Sequence, residues 1–242
     1  MSEVNKPENQ QFDLKCPFDP DQYKIKIDAV AAPTGSFPWA IIQVYLGNQL
    51  YRSDWEASDE YIRLAPKSAN FSPQIEKINE SGEFSIWQPT QEDMMACDWK
   101  FNCMLSFDLT SGTSKFNHGQ DWGYISDRGG WVSGSESPFG TLNIISNKTE
   151  IADILAFYWS TYDWLHLIVS SKESHEKVAG LLTKNVYVTV DNTIYNLSAS
   201  ALLSGDDTND TYTVAYSNND SRKLGEILKQ TNKTKAFCIN WR

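Results

Sequence analysis

The sequence predicts an α+β protein, with a small antiparallel sheet and short helices followed by a second, β-rich α+β domain. Three observations carry this expectation. Apolar and polar residues alternate over many short runs, the period of a half-buried strand. Only a few segments have helical spacing instead. Gly, Pro, Asn and Asp punctuate the runs at short intervals, as turns require. A chain of 242 residues, 40% hydrophobic and 13% aromatic with nine Trp, can bury a core and lies far from the composition of disordered chains.

In chain order, residues 1–22 read as a polar, Pro-containing arm, and YKIKIDAV (23–30) as a strand. FPWAIIQVYLG starts beside Pro38 and stops at Gly47, which suits a short helix, although its β-branched residues leave a strand open. NQLYRSDW and EYIRLAP predict two strands joined by a polar turn, and SGEFSIWQP another strand. In QEDMMACDW, Thr90 is placed as an N-cap with Asp93 three residues on, close to a capping box. WKFNCMLSFDL alternates again.

From about Thr110 the composition turns toward Gly and Ser, predicting a long turn-rich stretch and a domain boundary ahead of it. The expected organisation is an arm at 1–22, a domain at 23–109 and a domain at 110–242. Within the last, TLNIIS, DWLHLIVSS, NVYVTVDNTIYNLS, TYTVAYS and AFCINW predict strands. EIADILAFYWS and SRKLGEILKQT have helical spacing: Ile151, Ile154, Leu155 and Tyr158 share one face, as do Leu224, Ile227 and Leu228.

Charge excludes one class of partner. With 21 Lys+Arg against 31 Asp+Glu the chain carries −10, which argues against a polymer of nucleic acid laid over its surface. Residues 36–108 hold five basic and eleven acidic residues, so most of the excess sits there. The basic stretch Arg222–Arg242 lacks interleaved aromatics and reads as a solvated helix face. No targeting or membrane-spanning run is visible, which points to the cytoplasm and to no membrane partner. Cys16, Cys97, Cys103 and Cys238 match no zinc spacing, and reduced thiols are expected. His118, His166 and His175 are too scattered to be metal ligands, and His166 is expected at a strand surface.

Signatures of nucleophilic, metallopeptidase, phosphate-loop or dinucleotide chemistry are missing, and carboxylate pairs such as Asp93 with Asp98 are expected by chance. The most specific text lies in two stretches. The first places Arg52 and Trp55 three apart around a strand end and turn. The second gathers Trp87, Thr90, Gln91, Asp93 and Trp99 around one tight turn. Indoles stack on nucleobases, the Arg fork pairs with phosphate, and hydroxyls reach ribose and phosphate oxygens, so the set suits a small nucleotide. The same aromatics also suit a core, and Arg52 a surface ion pair.

These stretches, Gly47-Asn48-Gln49-Leu50-Tyr51-Arg52-Ser53-Asp54-Trp55 and Trp87-Gln88-Pro89-Thr90-Gln91-Glu92-Asp93-Met94-Met95-Ala96-Cys97-Asp98-Trp99, resemble in order and spacing the second Thoeris anti-defence family of phage-encoded sponge proteins. The resemblance covers about 36–106. Asp54 stands where that family has Gly, and Thr90 where it has Ser. What the resemblance implies is non-enzymatic sequestration of a cyclic nucleotide immune signal, a cyclic ADP-ribose isomer or a cyclic dinucleotide, in pockets of a homo-oligomer, with no cofactor. It assigns Trp55 and Trp87 to base stacking or pocket walls, Arg52 to phosphate, Thr90 and Asp93 to polar contacts or the turn, and Trp99 to the core side of the set. Two other readings stand beside it: a phage structural or interaction protein that keeps the fold without the ligand, and a carbohydrate-binding module suggested by the Trp-rich, Gly/Ser/Asn-rich text.

Overall fold

A computed structural model describes residues 32–55, 59–66, 73–116, 119–129, 138–172, 175–197, 202–206 and 210–242. The arm at 1–22, the expected strand at 23–30 and His118 lie outside the described residues. The chain divides into two compact units, 1–100 and 101–242.

The first unit opens with helix α1 (Phe37–Tyr45). Ser36 caps it by accepting the backbone N–H of Trp39 at 3.4 Å, and Pro38 sits in the first turn, where its missing N–H costs nothing. Gly47, at φ 95°, ends the segment in a conformation that L side chains resist. Strands β1 (Leu50–Arg52), β2 (Tyr61–Leu64), β3 (Ile75–Ile78) and β4 (Phe84–Ile86) form an antiparallel run in the order β4-β3-β2-β1. Helix α2 (Gln91–Met95) follows, and β5 (Trp99–Phe101) closes the sheet beside β1. Trp39, Ala40, Val44, Leu50, Ile62, Ile78 and Trp99 are its buried apolar residues. The sheet is short because each strand has only three or four residues, so α1 supplies much of the apolar cover.

The second unit is α+β and strongly β-rich. Its strands are β6 (Leu105–Thr110), β7 (Gly112–Phe116), β8 (Gly119–Ile125), β9 (Thr141–Asn147), β10 (Ile151–Trp159) and β11 (Leu165–Ser171). Helix α3 (His175–Leu182) precedes β12 (Val186–Val190), β13 (Thr193–Asn196), β14 (Leu202–Asp206) and β15 (Thr211–Tyr216). Helix α4 (Asn219–Leu228) and β16 (Thr234–Trp241) end the chain. They form a six-stranded sheet, β14-β15-β11-β10-β8-β7, and a five-stranded sheet, β13-β12-β16-β6-β9. One core joins them: Phe107 stacks on Phe237 at 5.3 Å, and Phe157 meets both edge-on. Val178 and Leu182 of α3 and Leu224 and Leu228 of α4 are buried in the same core.

Four expectations are corrected. The break between units falls after Lys100, ahead of the Gly/Ser-rich stretch, because Leu105–Thr110 pairs with β16 on one side and β9 on the other. EIADILAFYWS is the strand β10, not a helix. Ile151, Ile154, Phe157 and Trp159 enter the main core while Leu155, Ala156 and Tyr158 enter a second cluster with Ile125, Phe139 and Ile168. A strand buried on both faces loses its alternation, and two register shifts disturb what is left. Within the Gly-rich stretch, Gly112–Phe116 and Gly119–Ile125 form the antiparallel strand pair β7–β8 rather than turns. A Cβ at Gly123 would collide with the backbone of Phe157 and Tyr158, so this glycine permits close strand approach. Cys103 and Cys238 form a disulfide, with Cα atoms 5.3 Å apart, whereas reduced thiols were expected. Their pairing brings Cys103, two residues ahead of β6, against β16, a juxtaposition set by strand pairing across 135 positions. His166 is half-buried on β11, stacked on Tyr158 at 4.7 Å, and burial holds its imidazole down to about 4.

Candidate functional site

The site is built where the two singled-out stretches of the first unit meet. Thr90 caps α2: its hydroxyl accepts the Asp93 N–H at 3.1 Å, and the Asp93 carboxylate accepts the Thr90 N–H at 3.0 Å through Oδ2. That reciprocal box aims the other oxygen, Oδ1, at β1, where it accepts Arg52 Nη1 at 3.1 Å and Trp55 Nε1 at 3.2 Å. Asp93 is 5% exposed. One short helix cap therefore holds a charge and an indole from a segment about forty residues away.

Asp98 repeats the device from the far end of the turn. Its Oδ1 accepts Arg52 Nε at 3.0 Å and its Oδ2 the Asp54 N–H at 2.9 Å, while its carbonyl accepts the Ser53 N–H and hydroxyl, each at 3.3 Å. Asp54, 84% exposed in its side chain, takes Arg52 Nη2 at 3.4 Å. All three guanidinium nitrogens thus have carboxylate partners, on a side chain only 10% exposed. Burial works against each charge, raising Asp93 and Asp98 and lowering Arg52. Hydrogen bonds prevail: Thr90, Arg52 and Trp55 hold Asp93 below the usual carboxylate range, Arg52 and the Asp54 N–H do so for Asp98, and Arg52 is raised.

Trp99 is the post under this arrangement. Its indole N–H donates to the Asp93 carbonyl at 3.3 Å, and its ring meets Trp55 at 5.4 Å and Trp87 at 5.8 Å, both edge-on. Phe37 of α1 lies 6.3 Å from both Trp87 and Trp99. Trp55 and Trp87 are half-buried and Trp99 is 2% exposed, so the outer indoles are held by the buried one.

Above this post opens a cleft of about 700 Å³ in the first unit, within the size range of small-molecule sites. Arg52, Trp55, Trp87, Thr90 and Asp93 line it, five of the six residues to which the family resemblance assigns roles; Trp99 and Gln91 do not line it. Arg52 lines the cleft and is at the same time an ion-pair partner, the other role its sequence context left open. Its guanidinium is committed to carboxylates, so it arrives at the cleft as the centre of an ion network whose partners run from the buried Asp93 to the exposed Asp54. Sequence reasoning missed Glu60, Lys77, Ile86, Gln88 and Glu92, which also line the cleft. Glu60 and Lys77 carried no local signal; they converge because Lys77 on β3 pairs with Ile62, two residues after Glu60. The lining carboxylates Asp54, Glu60, Glu92 and Asp93 outnumber the cations Arg52 and Lys77. Among the described residues no group of His, Cys, Asp and Glu is placed to hold a metal ion, and no helix is long and apolar enough to cross a membrane.

The cleft coincides with a recognised domain. Residues 35–101 match the Thoeris anti-defense 2-like domain. In the second unit, residues 135–242 match a family described as Domain of unknown function (DUF7823). A search of curated proteins finds no match. The Thoeris anti-defense 2-like match spans α1 to β5, so every residue lining the cleft falls inside it.

Proposed function

We propose that the first unit binds a cyclic nucleotide immune signal, a cyclic ADP-ribose isomer or a cyclic dinucleotide, and sequesters it without cleavage, countering an antiviral defence from the host cytoplasm. The observation that carries this reading is the cleft itself: two indoles, Trp55 and Trp87, braced by a third, face a cavity of nucleotide size inside the anti-defense 2-like segment. Stacking supplies the apolar part of the binding energy, and the Thr90 hydroxyl, with the side chains of Gln88 and Glu92, supplies polar partners for ribose and base. Capture by a homo-oligomer, as the family resemblance implies, belongs to the same proposal.

A sponge competes with a receptor for scarce signal, so a dissociation constant near the nanomolar range is required, roughly −12 kcal/mol. Titration calorimetry with cyclic ADP-ribose isomers and cyclic dinucleotides tests the reading, with recovery of intact ligand after heat denaturation. Binding with intact recovery supports it, absence of binding by folded protein removes it, and recovery of cleaved ligand replaces it with an enzyme. Because lining carboxylates outnumber cations, binding depends weakly on salt compared with a basic-patch binder.

The same acidic lining favours a second reading, an interaction protein of phage origin that keeps the fold without the ligand. It predicts that Trp87→Ala costs stability or assembly and changes no nucleotide binding.

A further inference from the structure

Reading the cleft as a nucleotide site raises the question of which group meets the phosphate. Arg52, itself only 10% exposed in its side chain, has all three nitrogens on carboxylates, among them the buried Asp93, and turning it outward would strand that charge. Lys77 is the other cation among the described lining residues. Its ammonium lies 4.2 Å from the centre of the Trp55 ring and 2.6 Å from Glu60 Oε2. Both partners of that pair are partly exposed, with side chains at 29% and 22%.

The position of the ammonium conflicts with stacking. A base packed on an indole lies about 3.5–4 Å from its plane, the space the ammonium now holds. Base and ammonium cannot share that face. Trp55 is not free to turn its ring away, because its N–H is bonded to Asp93 and its ring packs edge-on against Trp99. Lys77, a point charge on a flexible stem with one carboxylate partner, is the part able to move.

We propose that Lys77 is the anion-reading and specificity-determining residue of the cleft. Glu60 holds it over Trp55 while the site is empty; a nucleobase displaces it from the indole, and it turns to the ligand's phosphate. The proposal rests on the nucleotide reading above. Its consequence is selectivity: a neutral nucleoside must displace the ammonium without offering it a new counter-charge, whereas a nucleotide supplies one.

Calorimetry on the full chain tests this with the tightest binder from a panel of cyclic ADP-ribose isomers and cyclic dinucleotides, and with adenosine and guanosine as neutral probes. Lys77→Gln is expected to weaken the cyclic nucleotide by about tenfold or more, the loss of one charge-assisted contact, while the nucleosides bind as well or better. Lys77→Arg should restore most of the loss, and Glu60→Gln should tighten the cyclic nucleotide several-fold. Circular dichroism confirms that each variant is folded. A Lys77→Gln variant within about twofold of wild type, or one weakened equally toward nucleotide and nucleoside, overturns the role of Lys77 and leaves the nucleotide reading intact. No binding of any probe by the wild-type chain removes both.

Discussion

Replacing Asp93 by alanine is the most searching test of the first unit, because three separate contacts end on one carboxylate. The substitution deletes the reciprocal partner of the Thr90 cap, which is worth about 1 kcal/mol. It leaves the Trp55 indole N–H without its acceptor, about another 1 kcal/mol. It also removes the most buried of the three counter-charges of Arg52. Breaking a buried ion pair completely costs about 3–5 kcal/mol, but Asp98 stays at 3.0 Å, so the low end or somewhat less applies. Together these put Asp93→Ala at about 4 kcal/mol, a large share of the 5–15 kcal/mol that holds a typical domain. Asp93→Asn keeps the shape and one acceptor oxygen and loses the charge, so about half that loss is expected. Hydrogen exchange on peptides covering 35–101 in the full chain isolates this unit, which a whole-chain melt does not. Protection of Asp93→Ala within about 1 kcal/mol of wild type would refute the view that the carboxylate organises the site.

Three further outcomes follow from the structure. Asp93 and Asp98 are held below their unfolded values, so their contribution is present above about pH 4 and lost as pH falls through the folded values; protection of 35–101 should be flat near neutrality and drop in acid. A loss that sets in near neutral pH contradicts this. Gly225→Ala places a methyl against the Trp159 indole on β10 and should lower the stability of the second unit by about 1–3 kcal/mol, read as a fall in the urea midpoint; an unchanged midpoint shows that the ring can yield. Reducing Cys103–Cys238, which lies across 135 positions of chain, should lower the thermal midpoint of the second unit through a loss of about 2–4 kcal/mol. Identical melts with and without reductant would show that strand pairing alone holds those residues together.

How far the site was legible follows from how local its parts are. The α2 cap could be read from Thr90 and Asp93 because a capping box closes within one turn, and the structure shows both halves of it. Trp55, Trp87 and Arg52 stood out as chemistry-bearing residues, but their relations did not. That Arg52 would meet Asp93 and Asp98 depends on β1 lying beside β5, a pairing across more than forty residues. The partnership of Lys77 with Glu60 and Trp55 depends likewise on the register of β2 against β3. Neither residue has a neighbour in sequence that marks it.

The second unit shows the same division in its secondary structure. The stretches with clean alternation, such as β6 and β9, were readable because one strand face has a different environment from the other. β10 was not, because apolar cover on both faces removes the difference on which periodicity depends. By itself the sequence determined an α+β chain, the type of most elements, the capped turn and the aromatic residues gathered near it, since each follows from propensity and spacing within a few residues. Tertiary structure alone decided that Arg52 is tied to carboxylates, that Lys77 covers Trp55, that Cys103 meets Cys238 and that β10 is a strand, because register between distant strands sets which charges and rings come within contact distance.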